Sequence, residues 1–288
     1  MFRRMMMAAV VMLMAAQADA NAPAFEISAV GDEGRVVYLL PGLASPGSVW
    51  DLLAEELLAQ GYQVHIVTLA GFAGQPPLTG EEFLPEVQRQ LAARLRQHQG
   101  PKPVLVGHSL GAFMAYWLAA TEPDQVAGVV AIDGLPYLAA LGNPQATPEN
   151  QRVQAEQLAT FMASLTPEQY AQQNRMAMAG MITAEDDVDR MAYSGGRSAP
   201  ATVGRAVAEM LTIDLRPLMP AIKAPVVLIQ AADSGASDVT RQAFAGQVAE
   251  IPDHRHLVAD RGRHFVPLDD PDFVAAAVLE LLGGLDHE

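Results

Sequence analysis

The 288-residue chain contains no cysteine. That absence removes thiol nucleophiles, disulfides, thiolate metal sites and a lipidated N-terminal cysteine together. Positive charge is scarce as well: 18 Lys and Arg stand against 33 Asp and Glu, a formal charge of -15. Nucleic acid and anionic membrane surfaces both demand a basic face, so neither is expected as a partner. The sequence holds no internal repeat, low-complexity tract or flexible interdomain linker. With half of its residues apolar, it can bury one large core.

Residues 1–20 read as a secretory signal peptide. Arg3 and Arg4 supply the positive end, Met5 to Ala16 an apolar stretch short for a bilayer, and Ala18-Asp19-Ala20 a small-x-small cleavage site. A mature chain beginning near Asn21 follows, exported to the periplasm or secreted, with no stable membrane insertion once the leader is removed.

Strand-like apolar runs at Gln63–Leu69, Val104–Gly107, Val126–Asp133, Val226–Ala232 and His256–Ala259 alternate with helical segments. That alternation predicts a mostly parallel sheet flanked by helices, an α/β fold. Phe25–Val30 and Arg35–Leu40, joined by Gly31-Asp32-Glu33-Gly34, predict an antiparallel hairpin at the sheet edge. Between Leu135 and about Pro220 the strand pattern vanishes. Thr147-Pro148 and Thr166-Pro167 are helix starts with a capping hydroxyl before proline, and Thr183 and Ser198 read as further starts. The expected organisation is a leader (1–20), the first part of an α/β core (21–134), an all-helical cap insertion (135–220) and the second part of the core (221–288). Met162, Met176, Met178, Met181, Met191, Met210 and Met219 concentrate in the cap, either as an adaptable apolar lining or as gap-fillers between helices.

The chemistry is carried by Gly107-His108-Ser109-Leu110-Gly111. A β-branched apolar run ends at Gly107 and a helix-length apolar run begins at Leu110, so the chain must turn sharply at Ser109. This strand–turn–helix corner exposes a serine hydroxyl beside a helix N-terminus, whose free N–H groups favour developing negative charge. The Pro41-Gly42-Leu43-Ala44 loop offers the Leu43 N–H to pair with that of Leu110 as an oxyanion hole.

A nucleophilic serine needs a base, and histidine fits at neutral pH. Of seven histidines, His65 lies within a strand, His98 on a polar helix, His287 at the tail and His108 beneath the turn; His254 and His256 open the last strand. His264 falls in the loop after that strand, on the serine's side of the sheet. Its acid is open: chain order favours Asp233, Asp133 ends the strand after the nucleophile helix, and Asp238 lies five residues beyond Asp233. No cofactor and no metal are called for. His254 and His256 could face one ion, but no third ligand lies nearby.

Together these residues resemble the α/β-hydrolase superfamily in its capped branch of small esterases and lactonases. The resemblance implies an α/β-hydrolase fold and a serine hydrolase acting on a small-molecule substrate, a neutral, apolar ester or lactone. Two departures stand out: Pro41-Gly42 replaces the family's usual His-Gly, and Ala231-Ala232-Asp233 is one residue short of its Gly-x-x-Asp. A non-catalytic binding protein, or an acyltransferase with the same three groups, is the alternative.

Overall fold

The computed structural model describes residues 22–235 and 237–286; the expected leader and His287 lie outside the described residues. A seven-stranded sheet runs in the order β1-β3-β2-β4-β5-β6-β7. The strands are β1 (Phe25–Val30), β2 (Val36–Leu40), β3 (Gln63–Leu69), β4 (Val104–His108), β5 (Gly128–Ile132), β6 (Val226–Gln230) and β7 (His254–Val258). β2, β4, β5 and β6 are buried along their whole length, as both-face helix cover requires of continuous apolar runs. On one face pack α1 (Asp51–Ala59) and the C-terminal helix Pro271–Leu285; on the other, α2 (Leu84–Gln97) and α3 (Leu110–Thr121).

The expected hairpin does not form. β1 pairs antiparallel with β3, and β2 pairs parallel with β3 on its other side, so β3 is inserted between the two. Burial supplies the reason. β2 is apolar at every position and belongs in the sheet interior, whereas β1, mostly exposed, suits an edge. The Gly31–Gly34 link arches over the start of β3, with Gly31 against the Tyr62 carbonyl and Gly34 against that of Gly61.

Four helices follow β5: α4 (Pro148–Ala163), α5 (Pro167–Met181), α6 (Glu185–Gly195) and α7 (Pro200–Thr212). Thr147 and Thr166 close capping boxes with Asn150 and Gln169. Thr183 and Ser198 do not cap. The N-cap residues are Ala184 and Ala199. The Thr183 N–H and hydroxyl both donate to Asp269, each at 2.9 Å, and Ser198 Oγ accepts from the Ala73 N–H at 2.9 Å. Tertiary bonds that dock the insertion have taken the hydroxyls a local reading assigns to helix starts. Glu209 on α7 adds another dock, accepting from the Phe83 and Leu84 N–H groups at the start of α2 (2.8 and 2.6 Å). Burial raises its carboxyl above the usual range. No described helix is long and apolar enough to cross a membrane.

Candidate active site

The corner between β4 and α3 is tight enough to exclude side chains. A Cβ on Gly107 would lie 2.2 Å from the Gly111 carbonyl oxygen, and one on Gly111 only 1.9 Å from that of Leu40. Ser109 sits at φ 54°, ψ -114°, a conformation that serine rarely adopts. Its N–H donates to Ile132 at 2.8 Å, and its carbonyl accepts from Ala112 and Phe113. The elbow is thus pinned to β5 on one side and to α3 on the other, with Ser109 in the wall of a cavity.

Asp133 follows the last residue of β5, at φ 43°. Its N–H donates to the Ile229 carbonyl at 2.7 Å, and its Oδ1 accepts from the Ala231 N–H at 2.9 Å. Its Oδ2 accepts from His264 Nδ1 at 2.7 Å. That bond commits the imidazole to the Nδ1–H tautomer and leaves Nε2 with a lone pair. The Asp133 side chain is 5 % exposed and that of His264 27 %.

The acid favoured by chain order lies elsewhere. Asp233 is the second residue of a short helical turn (Ala232–Gly235), with its side chain 70 % exposed, 3.6 Å from Arg263. Asp238 is an exposed partner of Arg241. Of the three sequence candidates, the structure brings Asp133 alone to His264.

His108 holds His264 from behind. Its ring is fully buried, its Nε2–H donates to the His264 carbonyl at 2.9 Å, and its centroid lies 4.7 Å from both His264 and Phe265. Burial, reinforced by His264, depresses His108 to about 3, so it stays neutral beneath the elbow. The other described histidines have partners elsewhere: His65 packs edge-on to Tyr38, His98 meets Pro101, His254 meets Ile251 and His256 meets Gln230.

The Leu43 loop turns at Ala44 (φ 55°), closed by the Ser45 N–H donating to Gly42. Ser198 from the cap donates to the Ala44 carbonyl at 3.5 Å, which ties this loop to the insertion. Leu110 is the first residue of α3, where backbone N–H groups have no intrahelical acceptor.

Ser109 and His264 lie at the junction of two cavities of about 330 Å³ each. The first runs between the Leu43 loop and α5, past Met162, Met178 and Met181; the second is walled by Leu135, Leu138, Leu141, Met210 and Phe244. The cap methionines therefore divide. Four line cavities, Met191 and Met219 are buried in the cores, and Met176 is exposed.

The model of the alpha/beta hydrolase family matches residues 37–277. The chain belongs to the α/β-hydrolase family. Among curated relatives, it is similar to a pimeloyl-[acyl-carrier protein] methyl ester esterase of Aeromonas salmonicida, 34% identical over 105 residues, which is 36% of this chain and 39% of the esterase. It is likewise similar to a pyrethroid hydrolase of Sphingobium wenxiniae, 34% identical over 115 residues, 39% of each chain. Each of these matches thus spans about two fifths of the relative's length. As a fold, this α/β hydrolase resembles the enol-lactonase of Burkholderia xenovorans, with a TM-score of 0.72 at 16% identity, covering 90% of this chain and 96% of that one.

Two features of this hydrolase escaped the sequence reading. One is the hold of His108 on the His264 backbone. The other is Asn174 on α5, a cavity residue whose only sequence signal is its place in a stripe: Tyr170, Asn174 and Met178, four apart, are the helix's buried residues. A polar residue centred in an apolar stripe is the mark that could have singled it out.

Proposed function

We propose that this α/β hydrolase is an exported serine hydrolase that cleaves a small, neutral, largely apolar ester or lactone through Ser109, His264 and Asp133. The observation that carries the reading is the 2.7 Å hydrogen bond from His264 Nδ1 to the buried Asp133, in a site whose wall also holds Ser109. The relatives named as an esterase and as a hydrolase support hydrolysis.

In the proposed reaction, His264 Nε2 takes the Ser109 proton as Oγ bonds to the substrate carbonyl carbon. The carbonyl π pair moves to oxygen, where the N–H groups of Leu43 and Leu110 receive the charge. Collapse of the tetrahedral adduct breaks the ester C–O bond, and the leaving alkoxide takes the proton from His264. Water, deprotonated by the same nitrogen, then releases the acyl group and restores the Ser109 hydroxyl. Asp133 keeps the imidazole in the required tautomer and stabilises the imidazolium. The first cavity is lined mostly by apolar side chains, and in the second the charges of Asp233 and Arg263 face each other, so both favour uncharged substrate arms.

A fluorophosphonate probe tests the nucleophile: the intact protein is labelled at Ser109, and Ser109→Ala is not. An unlabelled wild-type protein would leave a binding role on the same fold. Export rests on residues 1–20, and N-terminal sequencing of the exported form should begin at Asn21; a mature protein that retains Met1 contradicts it.

A further inference from the structure

One wall of the first cavity does not match the rest. Leu43, Ala44, Met162, Met178, Val203 and Phe265 make most of it apolar, yet two carboxamides stand among them, the half-buried Gln173 and Asn174, which is only 7 % exposed. Its Nδ2 donates to the Ala192 carbonyl at 3.3 Å, which fixes which end of the carboxamide is nitrogen. Among the described residues, nothing donates to its Oδ1. Gly195 packs close on the carboxamide and closes off that side: a Cβ there would lie 2.9 Å from Nδ2 and 3.2 Å from Oδ1. Tyr170, one turn earlier on the helix, is already engaged with Ser198.

A fixed carbonyl oxygen in an apolar wall is an acceptor whose loss of water must be made good by a donor. A substrate arm carrying an O–H or N–H would supply it; an arm ending in methyl would bury the oxygen unpaired, and one ending in an ether oxygen would place two acceptors together. We infer that Asn174 is a specificity residue, and that the cavity it lines is a subsite for a neutral, mostly apolar substrate arm bearing one hydrogen-bond donor. This rests on the proposed hydrolase reading. It narrows the substrate class from apolar esters in general to hydroxylated or N–H-bearing ones, which a site with an unmet acceptor selects over their deoxy analogues.

The test uses three matched series of esters, with arms of increasing length ending in hydroxyl, methyl or methoxy, the arm being placed first on the acyl side and then on the alcohol side. For the wild-type enzyme at the best arm length, kcat/KM for the hydroxyl ester should exceed that for the methyl and methoxy esters by about tenfold or more. Asn174→Leu should bring the three to within about threefold, chiefly by raising turnover of the methyl ester and lowering that of the hydroxyl ester. Gln173→Leu, which alters the neighbouring carboxamide on the same cavity wall, should leave the preference in place. The wild-type comparison holds even if Asn174→Leu fails to fold. Equal turnover of all three esters by the wild-type enzyme, a methoxy ester as good as the hydroxyl ester, or a preference that survives Asn174→Leu overturns the inference and leaves the hydrolase reading intact. No turnover of any ester, with no fluorophosphonate labelling, overturns the reading itself.

Discussion

Two strands end at the same edge of the sheet with an aspartate just beyond each, and the two carboxylates live in different worlds. Asp133, after β5, has a side chain 5 % exposed and holds both the Ala231 N–H and His264 Nδ1. Asp233, after β6, is 70 % exposed and faces Arg263 across 3.6 Å. Chain order treats them as equals; desolvation does not. A carboxylate that orients an imidazole works best where water cannot compete for either partner. The largest expected effect follows: Asp133→Asn should lower kcat by about four orders of magnitude, since a carboxamide can favour the wrong tautomer while leaving the fold in place. Steady-state kinetics with an intact unfolding transition checks it, and near-normal turnover would remove Asp133 from the mechanism.

The same comparison depends on the elbow that sets Ser109 against β5. Gly111→Ala puts a methyl 1.9 Å from the Leu40 backbone carbonyl oxygen, and because a Cβ has no rotamer none can relieve it. A destabilisation of about 3 kcal/mol or more is expected in urea unfolding, together with loss of probe labelling. Full stability would mean the corner is looser than the close approach implies. A smaller effect belongs to His108, which holds the backbone of the histidine that Asp133 holds by its side chain. Its folded pKa is depressed to about 3, mainly by burial, while the unfolded chain takes up that proton near the ordinary value of 6.5. Its neutral form therefore contributes stability that is fully present above pH 6.5 and is lost as pH falls toward 3, because the unfolded state gains a proton that the folded state refuses. His108→Gln should flatten the decline of the urea midpoint over that window. An unchanged slope would assign the acid sensitivity to other groups.

What could be read from the sequence divides along the line between local and non-local information. Gln63–Leu69 is legible to the residue, since a strand is written as a short, mostly apolar run. The four-residue link at Gly31–Gly34 looks the same whether the chain reverses or arches over an intervening strand, so β1 was joined to the wrong neighbour. Thr183 and Ser198 carry the right residue type for caps, but Asp269 and Ala73, distant in sequence, compete for them. Ser109 was legible because its corner is built from consecutive residues. The carboxylate that meets His264 was not, because Asp133 and His264 are 131 positions apart in the chain and only packing joins them.

The smallest effect is the sharpest control on the comparison. Asp233→Asn removes one partner of a solvent-screened pair, and such pairs contribute about 0–1 kcal/mol to stability. Asp233 still lines the second cavity together with Arg263, so the substitution leaves an unbalanced guanidinium in the cavity that Ser109 and His264 also line. The change should therefore fall in KM, by no more than about threefold, and should shrink as salt is raised, whereas the kcat loss in Asp133→Asn should not respond to salt. Arg263 itself stays anchored, since its side chain also donates to the Ala179 and Ile182 carbonyls at the end of α5. If instead Asp233→Asn depresses kcat as severely as Asp133→Asn and salt leaves that loss unchanged, the exposed carboxylate must move onto the imidazole during turnover, and the two aspartates would share the role that burial assigns to one.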